Sequence, residues 1–303
     1  MSNMGTIGFI GLGVMGGPMC RNMATKHLGR VVAFDLSEDA LADVEAAGAE
    51  RAGSIADMAA QADVIFLSLP GGQQVKAVTG EIGANKGRCT AVVDLSTAPV
   101  ELAREVAASL AGNGVAFADA PVARTREAAQ KGSLAIMVGA PSDLFARIKP
   151  MLDYIATDIT HGGEVGAGQV LKLVNNMLVF ANTVALAEMM VLGEKSGVAP
   201  ETLLEAVSKG SGDSFVLRNH GRKAMLPREF PERAFSPEYV LKDISYVFEM
   251  AQTAGINLPA AASVRRYYEA ATTTDLSGRY FPGVIELVER GAVDDAVTRG
   301  DAA

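Results

Sequence analysis

The sequence predicts a doubly wound α/β domain followed by an all-helical one, and three observations carry that prediction. From residue 6 to about 162, short apolar strand-like runs alternate with helical ones, the pattern of a mostly parallel sheet covered by helices on both faces. The segment Gly11-Leu12-Gly13-Val14-Met15-Gly16 stands between the first strand and the first helix. After Gly162-Gly163 the alternation stops, and residues 169–195 run without proline, and without glycine before Gly193, through dense Leu, Val, Met and Ala.

Taken in order, Thr6–Ile10 and Val31–Phe34 read as buried strands, and further strands are expected near 63–69, 91–95, 115–119, 133–139 and 155–160. Helices are expected near 14–27, 38–47, 54–61, 99–112 and 141–152, with Pro99 just inside the fourth. The 169–195 stretch is too long and too apolar for a lone surface helix, so it reads as a spine buried between domains or subunits. Beyond it, helices are expected at 200–209, 214–224, 237–254, 259–271 and 283–289, and the polar last dozen residues as a frayed end. The domain division predicted is 1–163 and 164–303.

The glycine segment has a chemical reading. The first glycine permits a tight turn, the second lets backbone approach a pyrophosphate, and the third lets helix and strand pack closely. The helix start then offers free N–H groups and partial positive charge to phosphates. Asp35 lies nineteen residues past Gly16, at the end of the second strand, where a carboxylate accepts the ribose hydroxyls of NAD and repels the 2′-phosphate of NADP. This is the Rossmann arrangement. The plain alternative is a glycine-rich turn with Asp35 beside a helix capped by Ser37.

Composition narrows the class. With 49% hydrophobic and 20% charged residues over 303 positions, the chain has material for two cores and is no disordered protein. The net charge of −8, without a lysine/arginine stripe, argues against a general nucleic-acid binder. The apolar run near 177–192 is interrupted by Asn182 and Glu188, so no membrane span is expected, and the N-terminus lacks the basic region of a signal peptide. Cys20 and Cys89 read as reduced and structural, and His27, His161 and His220 lack metal-ligand spacing, so no metal is expected. A cytoplasmic enzyme is the expectation.

Ligands of open α/β sheets sit beyond the carboxyl ends of strands. Leu69-Pro70, Ser96-Thr97 and Ala123-Arg124-Thr125 follow such ends. Leu69 and Pro70 suit the adenosine side of a cofactor. Ser96 and Thr97 either meet nicotinamide or substrate, or cap a helix. Arg124 is either a ligand or a solvated arginine. Lys172 and Asn176 are four apart on one face of the apolar helix, where a lysine must snorkel, pair or be functional. Lys242-Asp243 offers a second charged pair.

The succession GFIGLGVMGGPM, DLST, DAPV, LAIMVG, GAGQVLKLVNN and Phe235…Lys242-Asp243 resembles the β-hydroxyacid dehydrogenase family, which includes 3-hydroxyisobutyrate dehydrogenases and tartronate semialdehyde reductases. The likeness runs from about residue 5 to 290. It implies a Rossmann domain joined by a long helix to a helical domain, in a homodimer or homotetramer. It also implies NAD bound by Gly11, Gly13, Val14, Met15, Gly16, Asp35, Leu69, Pro70, Thr97 and Lys242. Lys172 is then the catalytic lysine, Ser96 and Asn176 bind substrate, and Phe235 lies near the closed site. The implied reaction interconverts a 3-hydroxy acid and its semialdehyde or ketone. A non-catalytic NAD-binding module and a same-fold reductase of other substrates are the rival readings.

One departure stands out. Where most members continue DxPV with Ser-Gly-Gly to hold the substrate carboxylate, this chain has Ala123-Arg124-Thr125. Ala123 donates no hydroxyl, and two readings follow: Arg124 reaches the substrate carboxylate or a second anionic group through its planar fork of donors, which is the preferred expectation, or it points outward from a pocket remodelled for a bulkier substrate.

Overall fold

The computed structural model describes residues 5–232 and 234–292. The chain divides into two compact units, Met1–Lys172 and Leu173–Ala303. The division falls inside the long helix, after Lys172 rather than before it.

The first unit runs β1 (Ile7–Ile10), α1 (Gly16–Lys26), β2 (Val31–Phe34), α2 (Glu38–Glu45), β3 (Glu50–Arg51), α3 (Ile55–Gln61), β4 (Val64–Leu67), α4 (Gly72–Ala84), β5 (Ala91–Asp94), α5 (Val100–Ala111), β6 (Ala116–Asp119), β7 (Val122–Ala123), α6 (Arg126–Lys131), β8 (Leu134–Gly139), α7 (Ser142–Leu152), β9 (Ala156–Gly163) and the start of α8 (Ala167–Lys195). Strands β3-β2-β1-β4-β5-β6 lie parallel in that order. β8 pairs antiparallel with β6 and β7 and parallel with β9. The order reverses between β1 and β4, which is the crevice where such sheets take ligands.

Period-two alternation sorts the strand residues to two faces. Ile7, Phe9, Val31, Ala33, Phe66 and Val93 pack on one side with Met19 and Met23 of α1. Ile10, Val32, Ile65, Leu67 and Val92 pack on the other with Met58 of α3, Ile82 of α4 and Val106 of α5. The expected strands and helices all form, with ends trimmed by a few residues, and Ser37 and Ser54 cap α2 and α3 through their hydroxyls. No helix is expected from sequence over residues 70–90. α4 forms there despite Gly72, Gly80 and Gly83, because Val75, Thr79 and Ile82 fall on one buried stripe.

In the second unit, α8 continues into α9 (Pro200–Val207), a π-helix (Leu217–Met225), α10 (Pro237–Ala254), α11 (Pro259–Thr272), a 3₁₀ turn (Phe281–Val284) and α12 (Ile285–Glu289). The core gathers Phe180, Val184, Ala187 and Met190 of α8 with Leu204, Val240, Ile244, Tyr268 and Phe281. α10 keeps its expected limits because Pro237 starts it and Gly255, at φ 69°, ends it. The expected helix at 214–224 instead closes π turns over Leu217–Met225. The expected frayed end lies outside the described residues.

The expectation of no span-length apolar run needs correcting. By length and composition α8 is long and apolar enough to cross a membrane, with a mean hydropathy of 1.5. Asn182 and Glu188 interrupt the run without lowering the average enough. Glu188 accepts the Tyr267 hydroxyl, so its carboxylate is bound inside the helical unit.

Candidate functional site

The glycine loop leaves β1 through Gly11 at φ 93°, a left-handed turn that favours glycine. A β-carbon on Gly11 would stand 2.2 Å from the Ser68 carbonyl oxygen, and one on Gly16 2.0 Å from that of Gly11. The turn is therefore closed to side chains at both ends. At Gly13 a β-carbon would meet nothing within 4 Å, and Gly13 and Val14 are exposed. α1 begins at Gly16, with no side-chain cap from Met15 before it and no acidic residue in its first turn. Open backbone at the second glycine and an uncapped, uncharged helix start fit a pyrophosphate.

Asp35 sits one residue past the end of β2. Its Oδ2 accepts the Leu12 N–H at 2.5 Å and its Oδ1 the Ser37 N–H at 2.8 Å. Two backbone donors thus fix the carboxylate beside the glycine loop, and each oxygen keeps a lone pair for a ribose hydroxyl. Ser37 is also the helix cap of the alternative reading, so cap and carboxylate coexist.

At the next strand ends, the Ser96 hydroxyl accepts the Leu69 N–H at 2.8 Å, joining the loops after β4 and β5. The Ser96 N–H donates to Asp94 at 3.0 Å. Ser96 is buried and Thr97 half-buried, while Pro70 is exposed. After β6, the fully buried Asp119 accepts the Gly166 N–H at 2.6 Å and the Gln169 N–H at 2.7 Å. Burial pushes its carboxyl up to about 6 against the pull of these donors. Gly168 permits the approach, since a β-carbon there would stand 2.4 Å from the Met137 carbonyl oxygen. Asp119 therefore tethers the first turn of α8. Lys172 is half-buried in the following turn.

Arg124 turns its side chain to neighbouring strands. Its guanidinium donates to the Ser133 carbonyl (2.7 Å), the Thr157 hydroxyl (2.9 Å) and the Asp158 carboxylate (2.7 Å). The side chain thus lies on β9 and on the residue that precedes β8, the outward course of the two expected for it. The backbone explains the direction. Arg124 holds φ 87°, a conformation that favours glycine and that redirects a side chain. Thr125 caps α6 through its hydroxyl, accepting the Ala128 N–H, so it too has a structural task. Ala123 ends β7 and pairs with Ala135.

In the second unit, the buried Asn176 donates from Nδ2 to Asp243 at 2.7 Å, and its Oδ1 accepts from Asn175 at 3.1 Å. Lys242 Nζ stands 3.2 Å from the other Asp243 oxygen and 5.9 and 5.5 Å from the Tyr239 and Tyr246 ring centres. Phe235 stacks on Phe180 and meets Tyr239 at a tilt of 32°. Asp119 and Gln169 were not among the site residues expected from sequence, whereas Asp243 was expected only as the charged partner of Lys242. The signal for Gln169 was there: a polar residue three positions before Lys172, on the same face of an apolar helix.

A 3-2-1-4-5-6 parallel order, the open second glycine and the tethered carboxylate define a dinucleotide-binding domain. Residues 6–163 match the NAD binding domain of 6-phosphogluconate dehydrogenase, and residues 166–288 the NAD-binding region of NADP-dependent 3-hydroxyisobutyrate dehydrogenase. The chain is 36% identical to 2-(hydroxymethyl)glutarate dehydrogenase of Eubacterium barkeri, over 94% of this chain and 95% of that one. It is 33% identical to 3-hydroxyisobutyrate dehydrogenase of Pseudomonas aeruginosa, over 90% and 94%. The solved structure of Mycobacterium tuberculosis 3-hydroxyisobutyrate dehydrogenase with L-serine superposes with a TM-score of 0.86 at 29% identity, covering 94% of this chain and 99% of that one. An imine reductase from a Pseudomonas species, at 16% identity and a TM-score of 0.62, shares the fold alone. The chain belongs to the β-hydroxyacid dehydrogenase family. It is an NAD-dependent dehydrogenase acting on CH–OH groups of hydroxy acids.

Proposed function

We propose that this enzyme interconverts a 3-hydroxy acid bearing a primary alcohol and the corresponding semialdehyde, with Lys172 as general acid and base. 2-(Hydroxymethyl)glutarate, 3-hydroxyisobutyrate and L-serine, named with its relatives, all carry CH₂OH on the carbon next to a carboxylate. That shared unit defines the substrate class. Bound NAD supplies the hydride acceptor.

The chain's own residues do the rest. Lys172 takes the hydroxyl proton during oxidation and returns it to the carbonyl oxygen in reduction. Asn176, one turn further along the same helix face, orients the reacting oxygen or the carboxylate, with its amide held by Asp243. Ser96, Thr97, Leu69, Pro70, Phe235 and Lys242 keep the roles the family resemblance implies. With Arg124 engaged elsewhere, the substrate carboxylate falls to backbone donors of the Ala123–Thr125 turn. The observation that carries the reading is the anchoring of the α8 start by Asp119, which fixes the lysine-bearing turn at the carboxyl end of the sheet.

Association belongs to the same proposal. Val174, Leu178, Met189 and Leu192 form an exposed apolar stripe at helical spacing on α8, and a second copy is its occupant in a homodimer or homotetramer. The working compartment proposed is the cytoplasm.

The test is Lys172→Ala. Turnover should fall by roughly two to four orders of magnitude, the scale of a lost general acid/base, with NAD affinity nearly unchanged. Retention of more than about a tenth of wild-type turnover, in an assay limited by chemistry, refutes the assignment.

A further inference from the structure

Gln169 is fully buried in the first turn of α8, and its carboxamide is used at both ends. Oε1 accepts the Ala98 N–H at 3.1 Å, and Nε2 donates to the Ser96 carbonyl at 2.8 Å. The side chain thereby brackets the backbone of the loop after β5 as a neighbouring strand would, though 71 and 73 residues separate the partners. Its own N–H is held by Asp119 at 2.7 Å. The bracketed loop is joined in turn to the next one, since the Ser96 hydroxyl accepts the Leu69 N–H. One side chain thus ties the helix start to the loops at the carboxyl ends of β4 and β5.

Lys172 follows Gln169 by three residues, so the two occupy neighbouring positions on one helix face. Rotation or axial slip of this first turn would move the lysine directly. Asp119 holds the backbone of the turn but leaves rotation about its two tethers. A bidentate contact a side chain's length away removes that freedom, because both partner atoms belong to backbone. An apolar residue here would leave the Ser96 carbonyl and the Ala98 N–H buried without these partners, so packing alone gives no reason for a glutamine.

We propose that Gln169 is a positioning residue for catalysis. Its carboxamide sets the placement of Lys172 relative to the Ser96-Thr97 loop, and so acts on hydride transfer through the lysine. The inference rests on the assignment of Lys172 as acid and base.

The test is Gln169→Met, which keeps length and helix preference but removes both hydrogen bonds, in wild-type and Lys172→Ala backgrounds. Turnover is normalised to NADH-binding sites counted by fluorescence, so that only folded, cofactor-competent enzyme is compared. In the wild-type background turnover per site should fall at least about tenfold, the scale of a misplaced catalytic group. The kinetic isotope effect with substrate deuterated at the carbinol carbon should rise as hydride transfer becomes limiting. In the Lys172→Ala background the same change should cost less than about twofold, because the group being positioned is gone. Unchanged turnover per site, or an equal loss in both backgrounds, overturns the inference. Should Gln169→Met bind no NADH, Gln169→Leu is read by the same criteria, since it also removes both hydrogen bonds while adding no charge. A Lys172→Ala enzyme with full turnover instead overturns the functional reading, and this inference with it.

Discussion

Arg124 gives a sharp test because two substitutions at one site separate backbone strain from side-chain contact. The residue holds φ 87° while its guanidinium rests on Ser133, Thr157 and Asp158. Arg124→Ala and Arg124→Gly both delete the guanidinium, so the solvated ion pair and its hydrogen bonds cancel in their comparison. What remains is the cost of holding a β-carbon at this φ, about 1–3 kcal/mol, less the extra freedom glycine gains in the unfolded chain, about 0.4–1 kcal/mol. The glycine variant should be the more stable by about 1 kcal/mol, or about 2–4 °C in Tm for a unit of this size. Thermal unfolding followed by circular dichroism reads the difference. An alanine variant equal to or more stable than the glycine one refutes the strain argument. Activity supplies the second arm. With the guanidinium on Asp158, both variants should stay within about threefold of wild-type kcat/KM, as should the Arg126→Ala control. A ten- to hundredfold loss, on the order expected for a severed charge-assisted contact to a carboxylate, would return Arg124 to the substrate.

Other outcomes follow from the site and the surface. Asp35 should give NAD at least a tenfold advantage over NADP in kcat/KM, about 1.4 kcal/mol, and equal efficiency with both removes Asp35 from that role. Leu178→Asp and Met189→Asp should each lower the assembled fraction in sedimentation at micromolar concentration, whereas wild-type enzyme that already sediments as a monomer refutes the α8 interface. Burial raises the folded-state pKa of Asp119 to about 6, above the ordinary carboxylate value of 3.8. Between those values the folded state binds more protons than the unfolded, so this group's contribution to stability falls as pH rises through the window. The Tm difference between wild type and Asp119→Asn should therefore shift against wild type from about pH 4 to 6 and level off above. A pH-independent difference would place the titration elsewhere.

Local signals in the sequence were legible, and non-local ones were not. The loop from Gly11 to Gly16 declares itself through three glycines, and Pro237 with Gly255 brackets α10 to the residue. Asp35, Lys172 and Asn176 stand out because a polar side chain ends an apolar strand or interrupts an apolar helix. α4 was hidden because three glycines mask its buried stripe. Gln169 and Asp119 act through backbone partners 47 to 73 residues away, and no periodicity encodes such a pairing. For Arg124 the chemistry of the guanidinium was plain, but its direction depended on a backbone angle that a departure from glycine at that position conceals. Nor did composition distinguish π from α turns at 217–225, since the same side chains serve both.

Over Leu217–Met225 the turns close to the fifth residue instead of the fourth, so the backbone there stores slack along its length. Removing one solvent-facing residue, such as Lys223, lets the segment tighten to ordinary α geometry while its ends keep their positions. The same deletion inside α10 would rotate every later side chain by about 100° and expose Val247 and Ala251, both buried now. Changes of length between homologues should therefore collect at the π-helix, and a single-residue deletion there should leave a folded protein.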